Sequence, residues 1–201
     1  LRGYLKALDA LTAEPWRVAQ IKGVGKRRAQ KAAAAAAARE GEREVMVFLL
    51  GEGISPKYAA RIRKVYGEAA MARVRENPYR LAREVPGIGF QVADRIAKNM
   101  GVSPRSPLRV EAGVLYTLEG GSDLGHCFLP TAELVARAAA ELRLEPGAEG
   151  LPKGQAPPPP GPEVAALITD AVAALRGQGA VLVEDDAVFL PRLLRAEQAL
   201  A

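Results

Sequence analysis

Residues 86–97 read PGIGFQVADRIA, in which one isoleucine separates two glycines and apolar residues at helical spacing follow at once. A tight turn between two helices is the expected structure, because glycine adopts backbone angles that other residues disfavour. Taken alone, this stretch is ambiguous. The turn could be a simple connection that ends one helix, or it could contact a ligand.

The same skeleton occurs three times in the chain. Its turns are Gly23-Val24-Gly25, Gly53-Ile54-Ser55 and Gly87-Ile88-Gly89. Six residues after each first glycine stands an alanine: Ala29, Ala59 and Ala93. The match is weaker in the middle unit, where Ser55 replaces the second glycine. A repeat spaced by about 30 to 34 residues is a signal of fold rather than chance.

The repeated turn is suited to binding phosphate. We expect its central apolar residue to point inward and the alanine to lie where the two helices cross. The first N–H groups of the second helix lack intrahelical partners and lie at the positive end of the helix dipole. They can therefore donate hydrogen bonds to a phosphate oxygen without reading a base. The predicted nucleic-acid-binding residues are Lys22, Gly23, Val24, Gly25, Lys26, Arg27, Gly53, Ile54, Ser55, Lys57, Gly87, Ile88, Gly89 and Gln91.

The distribution of charge favours the same interpretation. Residues 1–106 contain 21 Lys and Arg against 10 Asp and Glu, whereas residues 107–201 contain 7 against 13. The first part therefore has a net charge of +11 and the second a net charge of −6. We expect only the basic part to meet a polyanion. The alternative is two ordinary solvated surfaces, with the glycines acting only as helix caps.

The predicted fold is mainly α-helical, with tandem glycine hairpins over 1–103 and an acidic, winged-helix-like connector over 104–201. In the connector the pattern predicts helices at 108–119, 131–143 and 163–176, and Thr131 as an N-cap. It also predicts a Pro-rich loop at 145–162 and a β-hairpin turning on Glu184, Asp185 and Asp186. Helix 163–176 has few basic residues, so we expect it to contact protein rather than DNA.

Catalytic, metal and cofactor sites are not predicted. His126 and Cys127 are adjacent and have no second His or Cys to complete a zinc site. Asp123 is not predicted to be catalytic, because it lacks the neighbouring residues expected around the catalytic aspartate of a DNA glycosylase. The sequence contains no transmembrane run and no signal peptide, so the cytoplasm is the expected compartment. The chain starts at Leu1 rather than Met, and we expect it to be cut from a longer protein.

The repeated units resemble the helix-hairpin-helix family of DNA-binding motifs. A more specific resemblance covers nearly the whole chain. It rests on ENPYRLAREVPGIGFQVADRIAKNMGV, SPLRVEAGVLYTLEGGSDLGHCFLP and VFLPRLLRAEQALA, which are similar to the N-terminal region of the bacterial RecD-like DNA helicases. Gln91 departs from that family, in which a basic residue is common at this position. We therefore expect Gly23-Val24-Gly25, which Lys26 and Arg27 follow, to grip DNA most strongly.

The resemblance implies a 5′-to-3′ DNA helicase of superfamily one, acting in replication, repair or recombination and using ATP and Mg²⁺ in its motor. Its implied partners are single-stranded or forked DNA and the motor domains of the same chain. No G-x-x-x-x-G-K-[ST] loop occurs here, so this segment alone is not expected to use ATP. One alternative is an interaction module that docks the motor or a single-strand-binding protein. Another is a stand-alone junction-binding or nuclease-accessory protein.

Overall fold

Helices account for most of the residues that the computed structural model describes, which are 26–145 and 157–193. A small antiparallel sheet completes the fold, so the predicted fold class is confirmed. The helices are α1 Lys26–Gly51, α2 Pro56–Tyr66, α3 Ala70–Glu76, α4 Arg80–Glu84, α5 Phe90–Asn99, α6 Pro107–Asp123, α7 Thr131–Glu141 and α8 Pro162–Gly177. The strands are β1 Phe128–Pro130, β2 Leu182–Glu184 and β3 Ala187–Phe189.

The chain divides into two compact units. In the described residues the first unit comprises 26–76 and 84–86, and the second comprises 77–83, 87–145 and 157–193. The turn Gly87-Ile88-Gly89 therefore belongs to the second unit, together with the C-terminal helices and sheet. The division at residue 103 stays a prediction about which part of the chain binds DNA.

The first unit is organised by one long helix. The sequence patterns assign the two halves of α1 to successive repeats, but the helix runs without interruption through Gly41. Glycine in a helix costs about 1 kcal/mol, and the strong helix propensity of the alanine run opposes that cost. Val45 and Leu49 of α1 are buried with Ile62 of α2, which fixes the two helices against each other.

The second unit contains a winged-helix arrangement. Its elements follow in the order α6, β1, α7, α8, β2 and β3, and the sheet order is β1-β3-β2. The predicted hairpin is present, with Val183 opposite Val188. The sequence pattern at 120–130 predicts either a loop or a short extended piece. Residues 128–130 form strand β1 and place Leu129 opposite Val188. Three helices and a small sheet therefore share one core.

The helices of this module pack closely. A Cβ atom on Gly113 of α6 would lie 2.5 Å from Cδ2 of Leu142, so α6 approaches the end of α7 more closely than a side chain allows. The prediction that Thr131 caps α7 is wrong, because β1 runs directly into the helix and Pro130 is the N-cap. Thr131 instead donates from its N–H and hydroxyl to the carbonyl oxygen of Asp186, at 2.8 and 3.1 Å.

The Pro-rich segment joins α7 to α8. Residues 146–156 lie outside the described part of the chain, but the two ends of the segment are close together. The N–H of Gly161, the N-cap of α8, donates to Oε1 of Glu145 over 2.7 Å. Among the described residues, no helix is long and apolar enough to span a membrane.

Candidate nucleic-acid interface

The turn between α1 and α2 reverses the chain within four residues. Gly53 has φ 74°, a left-handed conformation that favours glycine. The N–H of Gly53 donates to the carbonyl of Leu50 at 3.0 Å, and that of Ile54 donates to Leu49 at 3.1 Å. This is the Schellman pattern of helix termination. It satisfies the last carbonyls of α1 and delivers the chain to the start of α2.

The turn before α5 has the same conformation. Gly87 has φ 78°, matching Gly53, and Gly89 is the extended N-cap of α5, with φ −94° and ψ 176°. Ser55, the N-cap of α2, is also extended, with φ −62° and ψ 151°. The second position of the turn therefore needs no glycine. Serine at 55 is compatible with the turn, although the sequence match to the repeat is weaker there.

The apolar residues of both turns lie in the core, as predicted. Ile54 and Ile88 are each 3% exposed. The alanines six residues after the first glycines are buried as well: Ala29, Ala59 and Ala93. Since the isoleucine side chains are inaccessible, only the backbone at positions 54 and 88 could face a ligand. The neighbouring positions Gly53, Ser55, Gly87 and Gly89 are exposed.

The helices that follow glycine turns start without acidic residues. Neither α1, α2 nor α5 has an Asp or Glu in its first turn. Lys26 and Arg27 are the exposed first residues of α1, and Lys57 is exposed in the first turn of α2. By contrast, α7 and α8 carry Glu133 and Glu163 in their first turns. The positive helix end is thus compensated at α7 and α8 and left uncompensated at the glycine turns, as it also is at α3, α4 and α6.

Two other cations of α2, Arg61 and Arg63, have partners within the first unit. Arg63 forms an ion pair with Glu42 at 2.9 Å. Arg61 donates from Nη1 to the carbonyl of Pro86, at 3.4 Å. Lys57 makes no ion pair with any residue that the structure describes. Among these cations of the second turn, Lys57 is therefore the one best placed beside the first amides of α2.

The third turn is held by an aromatic stack. Phe90, the first residue of α5, has Tyr79 at a ring-centroid distance of 6.0 Å and Tyr116 at 4.9 Å. The sequence favours core packing over base stacking for Phe90 and Tyr79, and both side chains are buried, which confirms core packing. The exposed Gln91 donates from Nε2 to the hydroxyl of Tyr116 at 3.4 Å. This turn offers a ligand its backbone and one neutral side chain.

A buried charge network that the sequence did not reveal lies behind this turn. Arg109 of α6 is 4% exposed and grips Asp94 of α5 with two hydrogen bonds, Nε to Oδ1 at 2.7 Å and Nη2 to Oδ2 at 3.2 Å. Tyr79 donates its hydroxyl to Asp94 at 3.0 Å. Lys98, one helical turn after Asp94, adds an ion pair at 2.9 Å. Every member of the network has a partner.

The network shifts the pKa values of its members. Burial raises the pKa of Asp94, but the hydrogen bonds donated by Arg109 and Lys98, together with the charge of Arg109, outweigh it and hold the pKa below its usual range. Burial and the adjacent Asp94 carboxylate raise the pKa of Tyr79 above its ordinary value. Asp94 is thus an anion and Tyr79 a neutral donor at neutral pH.

The remaining sequence candidates have these positions. Lys22, Gly23, Val24 and Gly25 lie outside the described residues. His126 is exposed and Cys127 is partly buried. The described residues contain no cluster of three or more His, Cys, Asp or Glu that could hold a metal ion. Asp185 has φ 50° in the loop between β2 and β3, in keeping with a turn residue.

Residues 38–128 match the family model described as the ATP-dependent RecD2 DNA helicase HHH domain. One relative, the ATP-dependent RecD2 DNA helicase of Deinococcus radiodurans, is 30% identical over 202 residues. The alignment covers 97% of this chain and 26% of the relative. The chain thus spans about a quarter of the length of that protein.

Proposed function

We propose that this chain is a helicase-associated domain that binds DNA through its phosphates, independently of sequence. The match of residues 38–128 to the model of the ATP-dependent RecD2 DNA helicase HHH domain supports the proposal. The observation that carries the proposal is the equivalence of two turns. Gly53 and Gly87 have the same left-handed conformation, and each turn leads into a helix whose positive end no acidic residue compensates. A phosphate oxygen is the ligand that such a helix end attracts.

The cations at these helix starts support the proposal. A lysine or arginine in the first turn of a helix opposes the macrodipole and costs about 0.3 to 1 kcal/mol. Lys26 and Arg27 begin α1, and Lys57 lies in the first turn of α2. An anionic ligand offsets this cost, because it is attracted by both the cation and the helix end. If these lysine and arginine side chains served only as a solvated surface, there would be no reason for them to lie at the positive end of the helix.

The chemistry of the turns also favours backbone over base recognition. Their exposed groups are glycine and serine backbone, Lys57 and Gln91. Ile54, Ile88 and Phe90 are buried, and none of them can stack on a base. Contacts limited to phosphate and sugar fix the position of a protein on DNA but carry no sequence information. We therefore expect similar affinity for unrelated sequences of equal length.

The activity of the whole protein is part of the proposal. We infer that the chain is joined to a 5′-to-3′ motor that uses ATP and Mg²⁺ and works in DNA repair or recombination. The residues of this chain do not fit a nucleotide, because its sequence has no phosphate-binding loop of the G-x-x-x-x-G-K-[ST] type. The role proposed for this segment is therefore to hold DNA, single-stranded or forked, for the motor.

Titration of DNA binding against salt tests the proposal. Fluorescence anisotropy with labelled single-stranded, duplex and forked oligonucleotides of two unrelated sequences should give a line of log K against log salt, falling by about 0.7 to 0.9 for each phosphate contacted. Exchanging both Lys26 and Arg27 for Glu should lower the affinity and flatten the line. Exchanging both Arg176 and Arg192 for Glu, the same charge change at exposed positions of the connector, is the control. Salt-independent binding, or a control with an equal effect, contradicts phosphate binding at the turns.

A second candidate is supported by the charge of the winged-helix module. The exposed residues of α8 include Glu163 and Asp170, and the β2–β3 loop is Asp185-Asp186. In a winged helix that bound DNA these surfaces would face phosphate, and the acidic side chains would repel it. The module is instead suited to docking a protein, such as the motor or a single-strand-binding partner. Its test is whether the separated motor protein binds this chain, and whether Asp170→Lys abolishes that binding.

A further inference from the structure

Helix α6 of the winged-helix module touches the third glycine turn and its helix at two separate places. Arg109 contacts Asp94 in the middle of α5, and Tyr116 stacks on Phe90 at its first residue. Arg109 and Tyr116 are seven residues apart on α6, which places them on one face of the helix, two turns apart. Two contacts along one helix face hold α5 in both position and direction.

The surroundings of Arg109 indicate more than an ion pair. Besides Asp94, its Nη1 donates to the carbonyls of Pro104 and Leu142, at 3.0 and 3.1 Å. One guanidinium thus joins α5, the loop before α6 and the end of α7. A buried cation in the first turn of a helix is doubly unfavourable, from desolvation and from the macrodipole. An apolar residue would fill the same space without that cost, but it would not fix the direction of α5.

The second contact acts at the turn itself. Phe90 directly follows Gly89, so its ring position sets where the first amides of α5 point. Tyr116 lies 4.9 Å from that ring with planes 19° apart, and its hydroxyl also accepts the hydrogen bond from Gln91. Tyr79 also stacks on the Phe90 ring, with ring centroids 6.0 Å apart. The start of α5 is therefore clamped by rings from outside the hairpin.

We propose that Arg109 and Tyr116 are positioning residues for phosphate binding at the third turn. Arg109 acts through Asp94 and Tyr116 through Phe90, and neither touches the ligand. The winged-helix module then holds the third turn in position and does not itself form a second DNA-binding surface. This inference rests on the proposed function, because it concerns how one of the phosphate-binding turns is held.

The test compares salt dependence and amide exchange in matched variants of the full 201-residue chain. Arg109→Met and Tyr116→Leu each remove one contact, and Arg176→Met removes an exposed charge of α8 as the control for Arg109→Met. We expect Arg109→Met and Tyr116→Leu to weaken duplex binding about 3- to 10-fold and to reduce the salt slope by about one phosphate. Hydrogen exchange at residues 89–95 should accelerate in both, while that of α8 stays unchanged. The control should bind within about twofold of the original chain and keep its slope.

The outcomes separate this inference from the proposed function. If the original chain binds DNA with a salt slope and neither Arg109→Met nor Tyr116→Leu alters that slope, the positioning role is wrong and phosphate binding stands. If the original chain shows no salt-dependent binding, both are wrong. Should Arg109→Met fail to fold, Tyr116→Leu decides alone, since Tyr116 is only partly buried. A lower melting temperature with an unchanged slope indicates a purely structural role.

Discussion

Gly53 and Gly87 adopt nearly the same left-handed backbone, with φ of 74° and 78°, although they lie 34 residues apart in different units. Each is followed two residues later by an extended N-cap, Ser55 in one turn and Gly89 in the other. The residue type at the first position of the turn, Gly53 or Gly87, is thus constrained by the backbone conformation. The residue type at the second position, Ser55 or Gly89, is not. The repeated motif has one obligatory glycine.

Substituting serine at each glycine of the third turn tests this distinction. Gly87→Ser places a side chain at positive φ and should lower the free energy of unfolding by about 1 to 2 kcal/mol. Gly89→Ser should change it by less than about 0.5 kcal/mol, because the backbone there is extended and a Cβ would meet no atom within 4 Å. Urea denaturation measures both. Equal losses would mean that the second glycine is also required by the fold.

Lys57→Glu should move stability and DNA binding in opposite directions. The exchange puts an acid at the positive end of α2, which should stabilise the fold by about 0.3 to 1 kcal/mol. It also removes the cation beside the first amides, so we expect weaker binding and a smaller salt slope. Thermal unfolding and anisotropy titrations give the two quantities.

The control for this exchange is Lys64→Glu, the same charge change in the last turn of α2. There an acid opposes the dipole, so stability should fall slightly. Its effect on DNA binding should be clearly smaller than that of Lys57→Glu. Similar losses of affinity from both variants would show that overall charge, and not the turn, governs binding.

The buried pair of Asp94 and Arg109 should make stability sensitive to acid. Since the folded pKa of Asp94 is lowered, the carboxylate stabilises the fold above its unfolded pKa of about 3.9. That contribution is lost as the pH falls through the lower folded pKa. Asp94→Asn should cost on the order of 3 kcal/mol at pH 7, because it leaves Arg109 buried without an anion.

Melting curves from pH 7 to pH 2 measure this dependence. The difference in stability between the original chain and Asp94→Asn should stay constant down to about pH 4 and narrow below it. Glu119→Gln, at an exposed position on α6, is the control and should leave the profile unchanged. A difference that is independent of pH would mean that Asp94 contributes through packing and not through its charge.

Shortening the Pro-rich segment should preserve the fold. Glu145 and Gly161 are joined by a hydrogen bond of 2.7 Å, so the ends of the segment already meet. Replacing residues 146–160 by five residues should raise stability by about 1 kcal/mol, because a shorter loop loses less entropy on closure. Glu145→Ala should instead destabilise by about 1 kcal/mol. Unfolding of the winged-helix module on shortening would show that the segment packs against it.

The elements of the fold were predictable where a local signal marks them. Helices α6, α7 and α8 lie within a few residues of the predicted bounds 108–119, 131–143 and 163–176, and the β2–β3 loop is the predicted one. The continuity of α1 through Gly41 was not predictable from the sequence. The free-energy cost of one glycine is local, whereas the stabilisation from burying side chains depends on the whole length of the helix. β1 was left open between a loop and a short extended piece, because three residues are too few to show an alternating pattern.

The turns themselves could be read from the sequence, whereas the contacts that hold them could not. Asp94 and Arg109 are 15 residues apart and lie on different helices, so no spacing rule connects them. A charged residue on an amphipathic helix ordinarily faces water, and Asp94 gives no local sign of burial. The one available hint is the position of Arg109 in the first turn of a helix, where the dipole disfavours a cation.

The length of the uninterrupted helix α1 sets the distance between the cations at its start and the glycine turn beyond its end. Its 26 residues span about 39 Å, with Lys26 and Arg27 at its start and the turn that leads to Lys57 just beyond its end. At about 3.4 Å per base pair, that separation corresponds to 11 or 12 base pairs of duplex, close to one full helical repeat. If both ends of α1 bind one duplex, the length of the helix sets the shortest duplex that can reach both ends. A duplex shorter than about 11 or 12 base pairs contacts one end of α1 at a time. The affinity for DNA should therefore rise sharply when the duplex reaches that length.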